Sequence, residues 1–344
     1  MTTFYQLHLL TSYPPANLNR DDSGQPKSAM MGGALRARVS SQSLKRAWRT
    51  SEPFEAALKG HVGTRTKRFA EVVQEKMMAA GKDEKKSLEA AKKVAELFAT
   101  LDKDKPPHTG QLVHLAPAEM AAVEALADRL AKGEEIDITA LPLLGGGESA
   151  ADIAMFGRML ADNPDHSVEA AVQVAHAITT HRVSIEDDYF TAVDDLKQKG
   201  EDAGAGHVGE QEFVAGLFYL YLCVDFDLLK ENLGGDEALA RSALKALADA
   251  ALKVGPKGKK ASYGSVAYAM YALAEKGAQQ PRSLSVAYLK PVAGSDMLSD
   301  SIKVLQATRD QMDKAYGACS DEKYIMNVPG GEGTLDGLLS FLGR

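Results

Sequence analysis

The sequence predicts an α+β fold in which a sheet-forming body is interrupted by one long helical insertion and carries a hairpin arm. A strand, a long polar loop, a basic strand and a helix follow one another within residues 1–52, and strand-like sequence resumes over residues 151–344. The composition changes over residues 53–150, where residues 67–101 are rich in Lys, Glu and Ala, which is typical of exposed helices. Two extended segments around a glycine-rich stretch predict the arm at residues 187–212. We therefore expect a body of residues 1–52 and 151–344 and an insertion of residues 53–150.

Composition places the chain among ordinary globular proteins, since 45% of its 344 residues are hydrophobic and 25% are charged. No apolar run reaches the roughly 20 residues of a membrane span, and the N-terminal residues lack the pattern of a secretory signal. The two cysteines, Cys223 and Cys319, are far apart and form no CxxC pair, which argues against a disulfide framework or a zinc site. We expect a cytoplasmic protein with no membrane partner and no cofactor.

The charge is distributed very unevenly along the chain. The net charge is −7, yet residues 1–68 hold 11 basic and 4 acidic residues, so the remainder carries −14. Because salt screens charges over about 10 Å at 0.1 M, acidic residues on a distant surface do not cancel a local basic patch. The N-terminal region therefore remains a candidate for binding a polyanion.

The first strand is expected at residues 4–10, with His8 as a hydrogen-bonded interior residue, and Pro14 and Pro15 are expected to end it. A polar loop over residues 17–27 then leads to a basic strand over residues 35–39. Further on, apolar or alternating segments predict strands at 151–159, 178–183, 213–226, 266–272 and 284–288. Capping residues and three-four spacing predict helices at 117–132, 236–254 and 297–316.

A basic helix follows the second strand, with Ser40 or Ser41 as its N-cap. Three apolar residues have the spacing of one buried stripe, namely Leu44, Ala47 and Trp48. The polar residues that align on another face are Gln42, Lys45 and Arg49. A helix N-terminus beside serine hydroxyls and a row of cations is well suited to bind phosphate oxygens. The alternative from this segment alone is an ordinary amphipathic helix with a solvated basic face.

No pattern in the chain indicates catalysis. There is no HExxH, no GxSxG and no Cys/His cluster. The paired carboxylates Asp21-Asp22 and Asp194-Asp195 are explained by turn capping and local pairing with arginines. The loop over residues 255–264 lacks the GxxxxGK[ST] spacing of a nucleotide-binding loop, although its lysines suit a polyanion backbone. The aromatic pair Tyr189-Phe190 on the arm either fills core or wedges against bases.

Several segments together resemble one known family. They are Leu18-Asn19-Arg20-Asp21-Asp22, the stretch from Val39 to Ala47, His176-Ala177-Ile178-Thr179-Thr180-His181, the stretch from Phe190 to Leu196, and Gln211-Glu212-Phe213. In this order along nearly the whole chain, they are similar to the CasC-type backbone subunit of the type I-E CRISPR Cascade complex. The resemblance is weakest in the helical insertion and in the C-terminal third.

The resemblance implies an RRM-like (ferredoxin-like) palm of the RAMP superfamily, with a helical fingers insertion and a β-hairpin thumb. It also implies that several copies assemble as a filament along one CRISPR guide RNA, beside other Cascade subunits. Such subunits have no catalytic activity of their own. They hold the guide so that its bases pair with target DNA.

The same resemblance assigns RNA contacts to residues that match the family motifs. The backbone would be gripped by Arg20, Lys27, Ser40, Gln42, Lys45, Arg46 and Arg49. Arg158 is a further RNA-binding residue, and Met159, Phe190 and Thr191 would flank a kinked nucleotide, with Tyr189 standing where the family often has Trp. The later loop contributes Lys259, Lys260 and Ser262 by a looser match.

Two rival functions remain open at this point. Related RAMP subunits cleave RNA with an Asp in a comparable N-terminal loop, so a metal-dependent nuclease that uses Asp21 or Asp22 is one alternative. The other is a helical adaptor whose basic face binds an acidic protein. Salt dependence separates the adaptor from an RNA-binding scaffold, because each phosphate contact with a single strand adds about 0.7 to the slope of log K against log salt.

Overall fold

A computed structural model describes residues 2–145, 149–160, 162–192 and 207–344 of the chain. The strands are β1 (Phe4–Ala16), β2 (Ser28–Met31), β3 (Ala34–Val39), β4 (Thr64–Thr66), β5 (Val113–Leu115), β6 (Val172–Val174), β7 (Ala177–Thr179), β8 (Glu186–Ala192), β9 (His207–Asp225), β10 (Ala269–Gly277) and β11 (Glu322–Asn327). The helices are α1 (Ser41–Arg49), α2 (Glu52–Ala57), α3 (Glu71–Ala79), α4 (Glu84–Glu96), α5 (Pro117–Ala131), α6 (Ala151–Phe156), α7 (Phe226–Asn232), α8 (Glu237–Lys253), α9 (Lys260–Tyr263), α10 (Met297–Tyr316) and α11 (Leu335–Leu342). The predicted α+β class is confirmed.

The body is built on one antiparallel sheet with the strand order β11-β10-β1-β9-β7-β3-β2. Strands β6 and β8 pair with other parts of the long strand β9. Helices α1, α8 and α11 cover one face of the sheet, where Trp48 and Leu247 are fully buried. Helix α10 and the segment around Tyr288 cover the other face. The basic helix α1 is thus anchored on a single, well-packed face of the sheet.

The insertion has a hydrophobic core of its own. Helices α3, α4 and α5 pack around Phe69 and Phe98, whose ring centroids are 4.7 Å apart in an edge-to-face arrangement. Strands β4 and β5 are joined through α3 and α4 and pair as a short antiparallel two-stranded sheet, the β4–β5 ribbon, which closes this core through the buried Val113 and Leu115. The ribbon contacts α1 through a hydrogen bond from Arg49 to the Gly63 carbonyl just before β4.

Two predicted strands are in fact helical. Residues 151–156 form α6, which ends at Gly157 with a φ of 79°, and residues 285–288 form a 3-10 turn. Both segments are short and mostly apolar, and such runs carry no periodicity that separates a strand from a buried helix. The first five residues of α6 are all buried, because α6 fills the junction between body and insertion.

Other boundaries also differ from the prediction. Pro14 and Pro15 do not end β1, which runs on to Ala16, because both prolines are exposed and the pairing with β9 shifts register between Tyr13 and Ala16. The strand expected from residue 266 begins at Ala269. Strands β2 and β11 and helix α11 were not expected.

The predicted arm is present where the chain is described. Residues of β8 pair with the start of β9, so that Tyr189 lies opposite Glu210 and Phe190 opposite Gly209. The part of the predicted arm from residue 193 to residue 206 lies outside the described residues. Throughout the described ranges, no helix has both the length and the apolar character needed to cross a membrane.

Candidate nucleic-acid interface

Helix α1 is held rigidly at both ends. The Ser40 hydroxyl accepts the Ser43 N–H at 3.3 Å, and Asn19 accepts the Ser40 N–H at 2.8 Å. Near the other end Trp48 is fully buried, and its Nε1 donates to the Val254 carbonyl at 3.1 Å. The predicted buried stripe of Leu44, Ala47 and Trp48 is therefore confirmed. Because the Ser40 hydroxyl serves as the N-cap, it stabilises the helix terminus.

The polar face of α1 borders an open cleft of about 1260 Å³ between the body and the insertion. Predicted site residues from distant parts of the chain converge there, namely Gln42, Lys45, Arg46, Arg49, Arg158 and Met159. Glu169 is the one carboxylate among the described residues that line the cleft. The cleft therefore combines a row of cations with an apolar side chain at its rim.

Lys45 lies within the cleft over an aromatic ring. Its Nζ is 5.5 Å from the centroid of Phe156, within the range of a cation–π contact. Burial lowers the pKa of Lys45 below its usual value. An anion bound beside this ammonium group would stabilise its charged form.

Arg49 is tied to a buried carboxylate at the base of the cleft. Its Nη1 lies 3.4 Å from Asp152 Oδ2, and it also donates to the Gly63 carbonyl at 3.3 Å. The same Asp152 oxygen accepts from His114 Nε2 at 2.8 Å, while Asp152 Oδ1 accepts the Gly63 N–H at 2.8 Å. Burial alone would raise the pKa of Asp152, but the hydrogen bond from His114 and the nearby charges hold it below its usual range. Asp152 is thus an ionised, fully partnered anchor.

Arg158 lies differently from what the resemblance implies. It is 5% exposed, and its Nη1 donates to Glu119 at 2.6 Å and to the His114 carbonyl at 3.1 Å. Its charge is compensated by a buried carboxylate, so its role in the structure is to anchor the chain at the cleft. The next residue, Met159, is 88% exposed. Gly157, with its positive φ, ends α6 immediately before these two residues.

A smaller pocket of about 450 Å³ lies at the N-terminal side of α1. Arg20, Asp21, Asp22 and Lys257 line it, and Arg46 borders both this pocket and the large cleft. Asp21 Oδ1 accepts from the Ser23 hydroxyl at 2.8 Å, and this hydrogen bond lowers the pKa of Asp21. Over the described ranges, no three His, Cys, Asp or Glu side chains lie close enough to share a metal ion.

The remaining predicted contacts lie outside both cavities. Phe190 and Thr191 are on the arm, where the Phe190 ring covers Gly209 so closely that a Cβ there would lie 2.3 Å from Cζ. Lys260 and Ser262 lie in α9 and Lys259 is its N-cap. This helix contacts the arm through Tyr263, whose ring centroid is 6.3 Å from that of Phe213. Lys27 lies just before β2, where its N–H donates to Asn19. None of these residues lines the large cleft.

Comparison with known proteins identifies the family. The sequence model of the CT1975-like Cas proteins matches residues 5–334, nearly the whole chain. The chain belongs to the CT1975-like protein family. No curated protein matches it.

Solved structures agree with this family. One similar chain, from a CRISPR RNA-guided surveillance complex in a pre-nicking state, is 28% identical with a TM-score of 0.83, and the match covers 98% of this chain and all of that one. Another, from a CRISPR RNA-guided surveillance complex, is 25% identical with a TM-score of 0.62, covering 98% of this chain and 99% of that one. The fold and its insertion are therefore shared along the full length.

Several residues that line the cleft of this CT1975-like protein were not predicted from its sequence. Among them, Arg65, Gln111 and His114 lie on or beside the β4–β5 ribbon, and Phe156 ends α6. The strands of the ribbon are only three residues long, too short for a strand pattern. The one available signal was Arg65 itself, which belongs to the basic N-terminal segment.

Proposed function

We propose that this protein is a CRISPR RNA-binding backbone subunit of a Cascade-type surveillance complex, of the CasC kind found in type I-E systems. Its copies polymerise along the guide RNA beside other Cascade subunits, and the guide's bases remain free to pair with target DNA. It binds RNA without cleaving it. Family membership and the full-length similarity to chains of RNA-guided surveillance complexes support this proposal.

The observation that carries the proposal is the convergence of α1 cations with Met159 in one open cleft. Contacts to phosphates hold a nucleic acid in register without reading its sequence. An exposed apolar side chain beside them suits a nucleobase turned out of the stack. A groove of this kind grips the backbone of a single strand, as an assembly that delegates sequence recognition to base pairing requires.

The architecture fits the same proposal. The antiparallel sheet with α1 and α8 on one face corresponds to an RRM-like RAMP palm, and residues 53–150 to the fingers. The β8–β9 hairpin corresponds to the thumb, which presents Phe190 and Thr191. Asp21 supports the loop of residues 17–27 through its hydrogen bonds to Ser23 and Gln25, a structural role that requires no catalysis.

The proposal is tested by co-expressing the chain with a CRISPR array and companion subunits, then extracting nucleic acid from the purified product. A discrete small RNA in a large, elongated assembly is expected. A folded monomer without RNA would contradict the proposal and favour the adaptor. RNA fragments that accumulate only with added divalent metal, and disappear with Asp21→Ala, would favour the nuclease.

The exposed Met159 provides a milder test. Met159→Ala should lower the affinity for single-stranded RNA about fivefold, because a side chain that half-covers a base contributes roughly 1 kcal/mol of apolar burial. The free energy of unfolding should change by less than about 0.5 kcal/mol, as for other exposed positions. Met30→Ala is the matched control, since Met30 is 69% exposed on β2 and lines no part of the cleft. Equal RNA affinities for the two variants would exclude a contact at Met159.

A further inference from the structure

The β4–β5 ribbon forms a second wall of the cleft, beside the one formed by α1. Arg65 on β4 lies directly across from His114 on β5, so the two residues share one face of the ribbon. Both line the cleft. The Arg65 side chain is exposed and makes no hydrogen bond or ion pair with any described residue. The ribbon therefore presents to the cleft a cation that has no described acidic partner.

The charges of the cleft are not equivalent once their partners are considered. Arg49 lies beside the buried Asp152, and Arg158 beside the buried Glu119. Within the described part of the chain, the cleft cations that have no carboxylate partner are Lys45, Arg46 and Arg65. Lys45 and Arg46 are on α1, and Arg65 is on the β4–β5 ribbon. Like charges on two walls repel each other unless an anion lies between them.

Asp152 connects these two walls. Its carboxylate is fully buried and touches Arg49 of α1, Gly63 just before β4, and His114 of β5. Arg49 adds a direct link, because it also donates to the Gly63 carbonyl. Charged hydrogen bonds of this kind are strong and directional. One buried carboxylate therefore fixes the distance from α1 to the ribbon.

We infer that the β4–β5 ribbon is a second RNA-binding wall, on which Arg65 contacts a phosphate of the strand held by Lys45 and Arg46. Asp152 is the positioning residue that holds this wall in place. The inference rests on the proposed function. Its ligand class is the sugar-phosphate backbone of single-stranded RNA, which supplies successive negative charges along the cleft.

The first test is Arg65→Gln in the full chain, with binding of a labelled single-stranded RNA of mixed sequence measured over a range of salt concentrations. Loss of one charged phosphate contact should reduce affinity about tenfold and reduce the slope of log K against log salt by about 0.7. Lys303→Gln is the control, because Lys303 is exposed on α10, which covers the other face of the sheet. An unchanged affinity and slope in Arg65→Gln would overturn the inference while the proposed function stands. If the wild-type chain binds no RNA, the proposed function itself fails.

The second test is Asp152→Asn, for which two explanations predict opposite signs. If Asp152 acted only as a charge, its removal would strengthen binding to a polyanion. A positioning role predicts that RNA affinity falls about tenfold, because the ribbon is no longer held against α1. It also predicts that Arg65→Gln costs less in the Asp152→Asn background than in the wild type. Tighter binding, or strictly additive effects of the two substitutions, would overturn the positioning role. If Asp152→Asn fails to fold, Arg65→Gln alone decides the second wall.

Discussion

Reversing the charges of Lys45 and Arg46 together is expected to lower the affinity for single-stranded RNA roughly 10²–10³-fold at 0.1 M salt. Neither cation has a carboxylate partner among the residues that the structure describes, so the double variant Lys45→Glu/Arg46→Glu changes the charge that faces the RNA by four units. Each unit acts through counterion release, which is strongest at low salt. The loss should therefore shrink as salt is raised, and salt titration of the binding constant measures it.

The choice of these two positions follows from the structure. Arg49 is a poor site for charge reversal, because a glutamate there would lie beside the buried Asp152 and destabilise the protein by itself. Arg46 is exposed, and Lys45 makes a cation–π contact with the ring of Phe156. The fold should survive, with the far-ultraviolet circular dichroism of the wild type.

A matched control carries the same total charge. Lys303→Glu/Lys314→Glu reverses two exposed lysines on α10, on the opposite face of the sheet. It should retain RNA affinity within about threefold, because charges beyond a Debye length are largely screened. If both double variants lost affinity equally, net charge rather than the cleft would govern RNA binding.

Local features of the chain were predictable because their causes are local. Helix α1 follows from a serine cap and an apolar stripe at three-four spacing, and both are visible within ten residues of sequence. A run of apolar and aromatic residues likewise predicts the first strand, and an Asp cap with three-four spacing predicts helix α8. The three residues Gln42, Lys45 and Arg49 were placed correctly on one face, and all three line the cleft.

Long-range features were not predictable, because they depend on partners far away in the sequence. Asp152 is 38 residues from His114 and 103 from Arg49, so no local pattern shows that it is a buried junction. Arg158 looked like a surface cation until its partner Glu119, 39 residues away, was located. Burial of a charge is a property of the packed structure, and it decides which cations remain open to a ligand.

On the other side of the sheet, a buried polar network predicts a large effect on stability. Glu275 on β10 is fully buried and accepts from His8 Nε2 at 3.2 Å and from Arg282. His8 Nδ1 lies 2.9 Å from the Tyr219 hydroxyl, so the neutral ring has a partner on each nitrogen. The expected interior histidine is confirmed. A network in which every member is partnered leaves a costly unpaired group when one member is removed.

Glu275→Gln is therefore expected to lower the free energy of unfolding by about 3 kcal/mol at pH 7, because Arg282 loses its buried carboxylate partner and keeps only the partly exposed Asp313. Urea denaturation of the RNA-free chain measures this loss. Glu322→Gln is the matched control, since Glu322 forms a largely exposed pair with Lys276 on the neighbouring strand. The control should change stability by less than about 0.5 kcal/mol.

The pH dependence of this difference separates an ionic role from simple packing. Burial alone would raise the pKa of Glu275, but the hydrogen bonds from His8 and Arg282 lower it to about 2 from its usual 4.5. A carboxyl whose pKa is depressed in the folded state stabilises that state above the unfolded pKa, and this stabilisation is lost as pH falls through the folded value. The difference in unfolding free energy between wild type and Glu275→Gln should therefore be full above pH 4.5 and close towards pH 2.

Burial also lowers the pKa of His8, so the unfolded chain takes up a proton below pH 6.5 before the folded chain does, and both proteins lose stability there. A gap that stays constant from pH 7 to pH 3 would mean that Glu275 acts through its shape and hydrogen bonds rather than through its charge.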